Sequence, residues 1–328
     1  MNFSRRCRSS SGRITMNKFR WQWVYLLFFA FVGFAGLSCD MSPTEPQVDP
    51  DFNIDYFGIN VLPFDQLPRT HYSESILDEL DYPMDEDSIY IFVYRGDTVL
   101  HPLVLDEMGI IFVAFYYSTG DEYYLQRAEA HARKLEEMAD KYNGALYFPY
   151  SFEVSFFSDL LSPPWYSGIT QGEALLLFVR LYNFTGNKHY LELADRTFAS
   201  FLTFKEQSPV WITTVDNLGY FWIEEYPADE PSHVLNGFIT ASFGLYEYYL
   251  ATQNPTARRL FLASMTTIKH YLNDFRVPGD ISYYCLKFRN QEPKYHRMHI
   301  SQLLQLHRLT GDEFFEEMSQ LFYEDYHE

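Results

Sequence analysis

Apolar, helix-like stretches alternate along this chain with one short polar interruption that recurs. Three copies of it, at 118–125, 185–191 and 310–315, place Thr-Gly before Asp or Asn and then aromatic residues. A degraded copy, Thr-Gln-Asn-Pro, stands at 252–255. Glycine favours the left-handed conformation that ends a helix, and Asp or Asn accepts hydrogen bonds from the first amides of the next helix. Each copy therefore predicts the turn of a helix hairpin.

The spacing of the copies predicts the fold class. They are separated by about 58 to 67 residues, the length of two helices with their loops. After the second copy, apolar residues recur on one helical face, as at Tyr190, Leu193 and Ala194. Four such hairpins predict a mainly α fold, an α/α toroid or incomplete α/α barrel, with a shorter helical array as the alternative.

Two short segments have strand character instead. Residues 87–100 hold an apolar run, then Arg-Gly-Asp, then a second apolar run, which predicts a β-hairpin with a glycine turn. Residues 147–152 form another strand-like patch. We expect these small β-hairpins to lie at the rim of the barrel.

The N-terminus has the features of an export signal. Basic residues precede an apolar run that ends at Cys39, as in a lipoprotein-type leader. The protein is therefore predicted to be exported, either as a lipoprotein anchored in the membrane through Cys39 or as a secreted or periplasmic protein. The predicted organisation is a leader at 1–39, a flexible tether at 40–54, a short extended or β segment at 55–105, and a catalytic α/α barrel at 106–328.

Composition narrows the function. The net charge of -19 excludes bulk nucleic-acid binding, which needs a basic surface. Of the three cysteines, Cys7 and Cys39 lie in the leader and Cys285 is alone, so no intramolecular disulfide is expected. No metal or nucleotide motif is visible, and we expect no cofactor for the chemistry, with a structural cation left open. Aromatic residues make up 19% of the chain, enough both for helix cores and for a sugar-binding groove.

The unusual polar residues cluster where loops enter helices. Trp-Tyr-Ser-Gly-Ile-Thr-Gln-Gly occupies 165–172, and Glu-Glu-Tyr-Pro at 224–227 precedes Leu-Asn-Gly-Phe at 235–238. Further on, Tyr-Cys-Leu-Lys lies at 284–287 and Tyr-His-Arg-Met-His-Ile-Ser-Gln-Leu at 295–303. Because several loop-to-helix junctions at one barrel end can build a pocket, these segments are the candidate site.

The order of these five motifs resembles the D-glucuronyl C5-epimerase family, in its C-terminal catalytic domain, over roughly residues 100–326. The resemblance implies an isomerase that inverts C5 of a hexuronic acid within a polysaccharide, turning D-glucuronate into L-iduronate. The implied partner is a uronic-acid-containing polysaccharide; animal members act on the heparan sulfate precursor. Those members are dimers, and a homodimer stays open here.

The resemblance also assigns residues. It implies that the acid–base groups are Glu225, Tyr226, Tyr284 and Tyr295. Lys287 stands where the family has Arg, and the two cations bind carboxylates differently. The implied substrate contacts are Tyr166, Gln171, Asn236, Lys287, His296, Arg297, His299 and Gln302.

The chemistry sets requirements of its own. Removing a proton beside a carboxylate builds a second negative charge, which cations or hydrogen-bond donors must stabilise. An acid and a base must also act on opposite faces of the ring. Tyrosine is a weak base at its ordinary pKa, so we expect a cation such as Lys287, Arg297 or a protonated His296 or His299 to favour the phenolate. Glu225 is the alternative base.

Other functions remain open from the sequence. A uronate polysaccharide lyase would share the first proton abstraction and then expel the 4-linked sugar. A glycoside hydrolase needs two suitably spaced carboxylates, and Glu225 has no obvious partner. A non-catalytic glycan-binding lipoprotein would not need the three tyrosines, and a purely structural helical repeat would leave the loop motifs unexplained. The strong acidity favours an unsulfated polymer.

Overall fold

The computed structural model describes residues 51–327 except 56 and 74. The predicted leader at 1–39, with Cys39, and residues 40–50 of the predicted tether lie outside the described residues. In the part that is described, no helix combines the length and apolarity needed to cross a bilayer.

Helix hairpins dominate the described chain and confirm the predicted α/α toroid. A short helix α1 (Ile76–Leu80) precedes them. The hairpins are α2 (Pro102–Thr119) with α3 (Glu122–Met138), α4 (Gly168–Thr185) with α5 (Lys188–Phe198), α6 (Leu235–Thr252) with α7 (Pro255–Phe275), and α8 (Pro293–Thr310) with α9 (Glu313–Asp325).

The hairpin turns use the residues that the repeat predicts. The left-handed positions that end the first helix of each pair are Gly120, Gly186, Gln253 and Gly311, with φ of 71°, 69°, 58° and 71°. The N-caps whose side chains accept from the next helix are Asp121, Asn187, Asn254 and Asp312. The degraded copy therefore keeps both roles, although Gln253 must adopt the left-handed conformation without the freedom of glycine.

The inner helices are buried more completely than the outer helices that pack on them. The inner helices α2, α4, α6 and α8 pack side by side in chain order, and each outer helix packs on its own partner. Helices α4 and α6 are buried almost all round, because they have inner neighbours on both sides and an outer layer behind. Close approach explains Gly172, where a Cβ would lie 2.3 Å from Ala241 Cα.

Small antiparallel hairpins fill the connections. They are β1 (Phe92–Tyr94) with β2 (Asp97–Val99), β3 (Asp140–Tyr142) with β4 (Ala145–Tyr147), β5 (Val154–Phe156) with β6 (Asp159–Leu161), and β7 (Thr213–Val215) with β8 (Phe221–Ile223). The first is the predicted hairpin, with Arg95 and Gly96 in its turn. The predicted patch at 147–152 is wrong as a continuous strand: Tyr147 ends β4, and Tyr150 makes an isolated bridge to Trp165.

The N-terminal segment closes one end of the toroid, at the C-terminal ends of the inner helices. Asn60 N donates to Leu309 O at 2.8 Å at the end of α8, and Tyr246 Oη of α6 donates to Asn60 O at 2.6 Å. The last residues of the predicted tether also contact the domain, since Phe52 is buried and Asn53 N donates to Gly219 O at 2.7 Å. The loops of the candidate site occupy the opposite end.

Candidate active site

The Glu-Glu pair that follows β8 is fixed against the start of α4. Ser167 Oγ donates to Glu225 O at 2.7 Å, and Gly168 N donates to Glu224 O at 2.8 Å. A Cβ at Gly168 would lie 2.5 Å from that second carbonyl oxygen. The Ser-Gly of the first motif therefore positions the backbone of the second.

The two glutamates have different surroundings. The Glu224 carboxylate accepts from the Ser232 and His233 amides at 3.2 and 3.1 Å, and pairs with His233 Nδ1 at 2.6 Å. It holds the turn into α6, where His233 has a φ of 53°. Glu225 instead faces the site. Its Oε2 lies against Gly237 of α6, where a Cβ would be only 2.1 Å away.

Three tyrosines from separate loops surround Glu225. Tyr284 Oη donates to Glu225 Oε1 at 3.0 Å. The ring centroid of Tyr295 lies 4.3 Å from that of Tyr284, and Tyr226 follows Glu225 in the chain. The structure therefore brings all four predicted acid–base residues together, at the N-terminal ends of α4, α6 and α8. Their catalytic roles stay a prediction.

Burial sets the proton affinities in this cluster. It raises the pKa of Glu225 to about 7, against hydrogen bonds from the Tyr226 and Tyr284 hydroxyls that favour ionisation. Burial and the charge of Glu225 raise the pKa values of Tyr226 and Tyr284 well above 10. The pKa of Tyr295 rises for the same two reasons. In this arrangement the Glu225 carboxyl is the group whose pKa lies near neutral, and the cation-stabilised phenolate stays a prediction.

Lys287 is already neutralised. Its Nζ lies 2.9 and 2.8 Å from the two carboxylate oxygens of Asp159 and 3.3 Å from Glu230 Oε2. Lys287 and Asp159 are each 15% exposed. Substrate binding by Lys287 stays a prediction that requires this pairing to change.

The two histidines of the fifth motif are buried where α8 packs on α9, and substrate contact by either stays a prediction. His296 Nδ1 accepts from Ser282 N at 2.9 Å, and its Nε2 donates to the carbonyl oxygens of Phe322 and Tyr326, both at 2.9 Å. Burial, with a contribution from His296, lowers the pKa of His299 to about 3. The sequence did not reveal that this face of α8 packs on α9. Arg297, on the exposed side of α8, stays a prediction.

Two other predicted substrate contacts, Gln171 and Gln302, make hydrogen bonds inside the scaffold, and their contact with substrate stays a prediction. Gln171 is fully buried, and its Nε2 donates to Leu146 O at 2.8 Å. Gln302 Nε2 donates to Asn236 O at 3.0 Å and to Thr240 Oγ1 at 2.9 Å, which ties α8 to α6. Both amides satisfy buried polar groups of the scaffold, a role that sequence alone does not separate from ligand binding.

The remaining two predicted contacts differ in position. Tyr166 lines an open cleft of about 580 Å³ beside the site, with its hydroxyl donating to Asp140 Oδ2 at 2.9 Å. Asn236 lies in the first turn of α6, next to the Gly237 that faces Glu225, and its side chain is nearly buried. Substrate contact by either residue stays a prediction.

Sequence reasoning missed the β5–β6 hairpin, which covers the tyrosines. The Phe156 ring stacks on Tyr226 with centroids 4.1 Å apart and 14° between planes. The turn brings Asp159 to Lys287. The available signal was the pair of adjacent phenylalanines at 156–157 in a short strand-like run.

One group of side chains among the described residues could hold a metal ion, and it lies outside the candidate active site. The ligand atoms of His307, Glu313 and Glu316 lie within 4.8 Å of one another. The group is at the C-terminal end of α8, away from the tyrosines, and both glutamates are exposed. It has no connection to the chemistry of the candidate site.

Comparison with protein families identifies the same region. The model of the D-glucuronyl C5-epimerase C-terminus matches residues 140–324. The D-glucuronyl C5-epimerase of Caenorhabditis elegans is 28% identical over 128 residues, 37% of this chain and 20% of that protein. The uncharacterized protein MJ1128 of Methanocaldococcus jannaschii is 29% identical over 195 residues, 59% of this chain and 61% of that protein. The matches thus span less than two thirds of either relative.

Solved structures support the fold. Cellobiose 2-epimerase from Bacillus thermoamylovorans aligns with a TM-score of 0.53 at 14% identity, over 79% of this chain and 72% of that one. Cellobiose 2-epimerase from Spirochaeta thermophila aligns with a TM-score of 0.51 at 13% identity, over 73% of this chain and 63% of that one. At such identities the likeness shows the α/α toroid alone.

Proposed function

The chain belongs to the D-glucuronyl C5-epimerase C-terminus family, and on that premise we propose that it is a polysaccharide uronate C5-epimerase interconverting D-glucuronate and L-iduronate. The observation that carries the proposal is the buried carboxyl of Glu225 among the hydroxyls of Tyr226, Tyr284 and Tyr295. A carboxyl with a pKa of about 7 can take or return a proton near neutral pH. The phenols are proton donors at that pH.

The roles follow from exposure and bonding. Glu225 acts as the base: the C5–H bond breaks, its proton goes to the carboxylate, and its electron pair moves into the uronate carboxylate as an enediolate. Tyr284 is 3% exposed and donates to Glu225, so it orients the base. Tyr226 and Tyr295 are half-buried, and one of them returns a proton on the opposite face. Stabilising the enediolate also needs a cation or hydrogen-bond donors at the uronate carboxylate, and Lys287 is the predicted cation.

The substrate proposed is an exported, unsulfated uronic-acid polymer. Acidic residues on the cleft wall, Asp159, Asp229 and Glu230, disfavour additional anionic groups such as sulfate. The predicted leader would place the enzyme where such polymers are found, either anchored or secreted.

The test is solvent exchange at C5. The purified protein is incubated with heparosan in D2O, and H5 is followed by NMR. We expect deuterium at C5 together with iduronate signals. Tyr284→Phe should lose the exchange, whereas the matched control Tyr283→Phe should keep it, because Tyr283 is the neighbour outside the Glu225 cluster.

Other outcomes reject the proposal in distinct ways. Unsaturated uronate at new chain ends, seen as ultraviolet absorbance, would show a lyase. Binding of the polymer without exchange or cleavage would show a glycan-binding protein. Equal activity of Tyr284→Phe and the wild type would remove this cluster from the chemistry.

A further inference from the structure

The open cleft and the acid–base cluster are separate in this structure. The cleft of about 580 Å³ is lined by Trp165, Tyr166, Trp211, Pro227 and Lys287 among others, but by none of Glu225, Tyr226, Tyr284 and Tyr295. A sugar ring in the cleft would contact aromatic faces and Lys287 without reaching any of the four proposed acid–base residues. Catalysis on a polymer therefore needs a conformation in which the two regions are joined.

The β5–β6 hairpin is what separates them. Phe156, at the end of β5, stacks on Tyr226 and belongs to a buried apolar cluster with Val234, Tyr284 and Cys285. The hairpin is short, with three residue pairs from Val154↔Leu161 to Phe156↔Asp159. Two apolar side chains of the hairpin are exposed, Phe157 in its turn at 56% and Leu160 in β6 at 58%. A two-stranded hairpin of this length has little stability of its own, so its position depends on what it contacts.

One ion pair fixes the tip. Asp159, the first residue of β6, accepts two short hydrogen bonds from Lys287 Nζ, which comes from the loop that carries Tyr284. Glu230 also contacts Lys287 Nζ, through its backbone oxygen at 3.2 Å and its Oε2 at 3.3 Å. The contact joins residues 128 positions apart, directly between the hairpin and the proposed catalytic loop.

We propose that the β5–β6 hairpin is a lid over the acid–base cluster, latched by Asp159 on Lys287, and that a uronate carboxylate opens it by taking Lys287 from Asp159. Asp159 is then a specificity-determining residue. This inference rests on the proposed function. It also accounts for a lysine already occupied by an internal carboxylate in a site that must bind one.

The exchange favours uronate over neutral sugars. A substrate carboxylate replaces the Asp159 carboxylate one for one, so Lys287 never loses its counter-charge in a partly buried site. A neutral hexose offers no such replacement and leaves the latch closed. The lid therefore couples opening to the same carboxylate that the chemistry needs.

Cys285 provides a probe of the lid that is independent of turnover. Its thiol is fully buried in the Phe156 cluster. In the purified full chain, alkylation by iodoacetamide is followed by mass spectrometry of the Cys285 peptide, without substrate. We expect Asp159→Asn and Lys287→Met each to speed alkylation about fivefold, as for the loss of an ion pair worth about 1 kcal/mol. The two substitutions change local charge in opposite senses, so a shared acceleration reports opening and not thiol ionisation.

Two control variants and a measurement of KM accompany the alkylation experiment. Lys287→Arg keeps the latch and should alkylate like the wild type. So should Glu153→Gln, which neutralises an exposed acid beside β5 that pairs with Arg95. With heparosan, Asp159→Asn should lower KM about fivefold, because the lid is open and Lys287 keeps its charge, whereas Lys287→Met should raise KM at least tenfold.

The outcomes separate failure of the lid from failure of the proposed function. Unchanged alkylation in Asp159→Asn and Lys287→Met, or equal acceleration in Glu153→Gln, would overturn the lid even if the protein epimerises heparosan. A rise in KM for Asp159→Asn would overturn its part in specificity. If the latch variants speed alkylation but no variant exchanges C5 protons on any uronate polymer, the proposed function fails and the hairpin is still a latched cover.

Discussion

The two ends of the toroid both bury carboxylates but give them different partners. At the C-terminal ends of the inner helices, Arg180 binds Glu247 through Nε at 3.0 Å and Nη2 at 2.6 Å, and both side chains are buried. At the N-terminal ends, Glu225 is buried among tyrosine hydroxyls. The fixed cation at the first end keeps a charge in place and ties the N-terminal segment to α4 and α6. The phenols at the second end leave the charge of the carboxyl variable.

A third buried carboxyl, Glu173, shows what decides whether such a group is ionised or protonated. Glu173, inside the toroid, pairs with Arg69, which also pairs with Glu107, and it lies beside Asp106, so carboxyls outnumber the cations around it. Burial raises the pKa of Glu173 to about 7 despite Arg69, and that of Asp106 well above its usual range. The balance of buried cations and carboxyls, and not burial alone, determines which groups hold a proton.

The largest effect should come from removing the variable charge. Glu225→Gln keeps the shape but cannot accept a proton, so we expect C5 exchange to fall at least about 10³-fold, equivalent to about 4 kcal/mol in the barrier. Exchange of H5 in D2O measures it. Glu247→Gln is the counterpart at the other end and should leave the activity of the folded protein unchanged. Retention of more than a tenth of the activity by Glu225→Gln would assign the base elsewhere.

The second-largest effect should be a loss of unfolding free energy when Arg180, at the C-terminal ends of the inner helices, is replaced. Arg180→Met leaves Glu247 buried without its cation, which should cost about 3–5 kcal/mol of unfolding free energy in urea denaturation. Arg180 also donates to Pro68 O at 2.6 Å, so the N-terminal segment loses an anchor as well. The double change Arg180→Met with Glu247→Leu should recover most of the loss. A cost below about 1 kcal/mol for the single change would contradict the pairing argument.

The scaffold could be predicted from sequence more fully than the site. The hairpin turns depend on local chemistry, a left-handed residue followed by an amide acceptor, and a short motif such as that at 185–187 contains all of it. The family resemblance implied that Glu225 and three tyrosines act together, and the motifs' position in loops that lead into inner helices indicated that they share one end of the barrel.

What could not be predicted depends on contacts between distant residues. Lys287 was expected to be available, but its partner Asp159 lies in a hairpin without a recognisable motif. A protonated His299 was one of the alternative cations, but burial lowers its pKa to about 3. The cation partners Arg69 and Arg180 likewise meet their carboxylates 104 and 67 residues away. Spacing along the chain carries no information on such pairs.

An intermediate effect should appear in the pH dependence of stability. The folded-state pKa of Glu225, about 7, is above the ordinary value of 4.5, so the folded state binds the proton more tightly than the unfolded chain. The contribution of Glu225 to stability is therefore fully present below about pH 4.5 and is lost as pH rises to about 7. Glu173 adds a fall over the same range, so the wild type alone does not isolate Glu225.

The contribution of Glu225 to the pH dependence of stability is obtained by comparing the wild type with Glu225→Gln. The variant should gain about 2–3 kcal/mol on the wild type between pH 4.5 and 8, measured by urea denaturation at each pH. A constant difference across that range would mean that Glu225 is ionised throughout, and the contrast between the two ends would then be lost.

The smallest effect should come from the repeat itself. Asn187 Oδ1 accepts from His189 N at 3.1 Å at the start of α5, so Asn187→Ala removes one cap and should cost about 1 kcal/mol in thermal or urea unfolding. Lys188→Ala, in the first turn of the same helix, is the matched control and should cost less than about 0.5 kcal/mol. Exchange at C5 should be unchanged in both, because the turn lies at the C-terminal end of α4, away from Glu225. If Asn187→Ala lowered exchange without lowering stability, the two ends would be coupled, and the scaffold could not be treated as separate from the chemistry it holds.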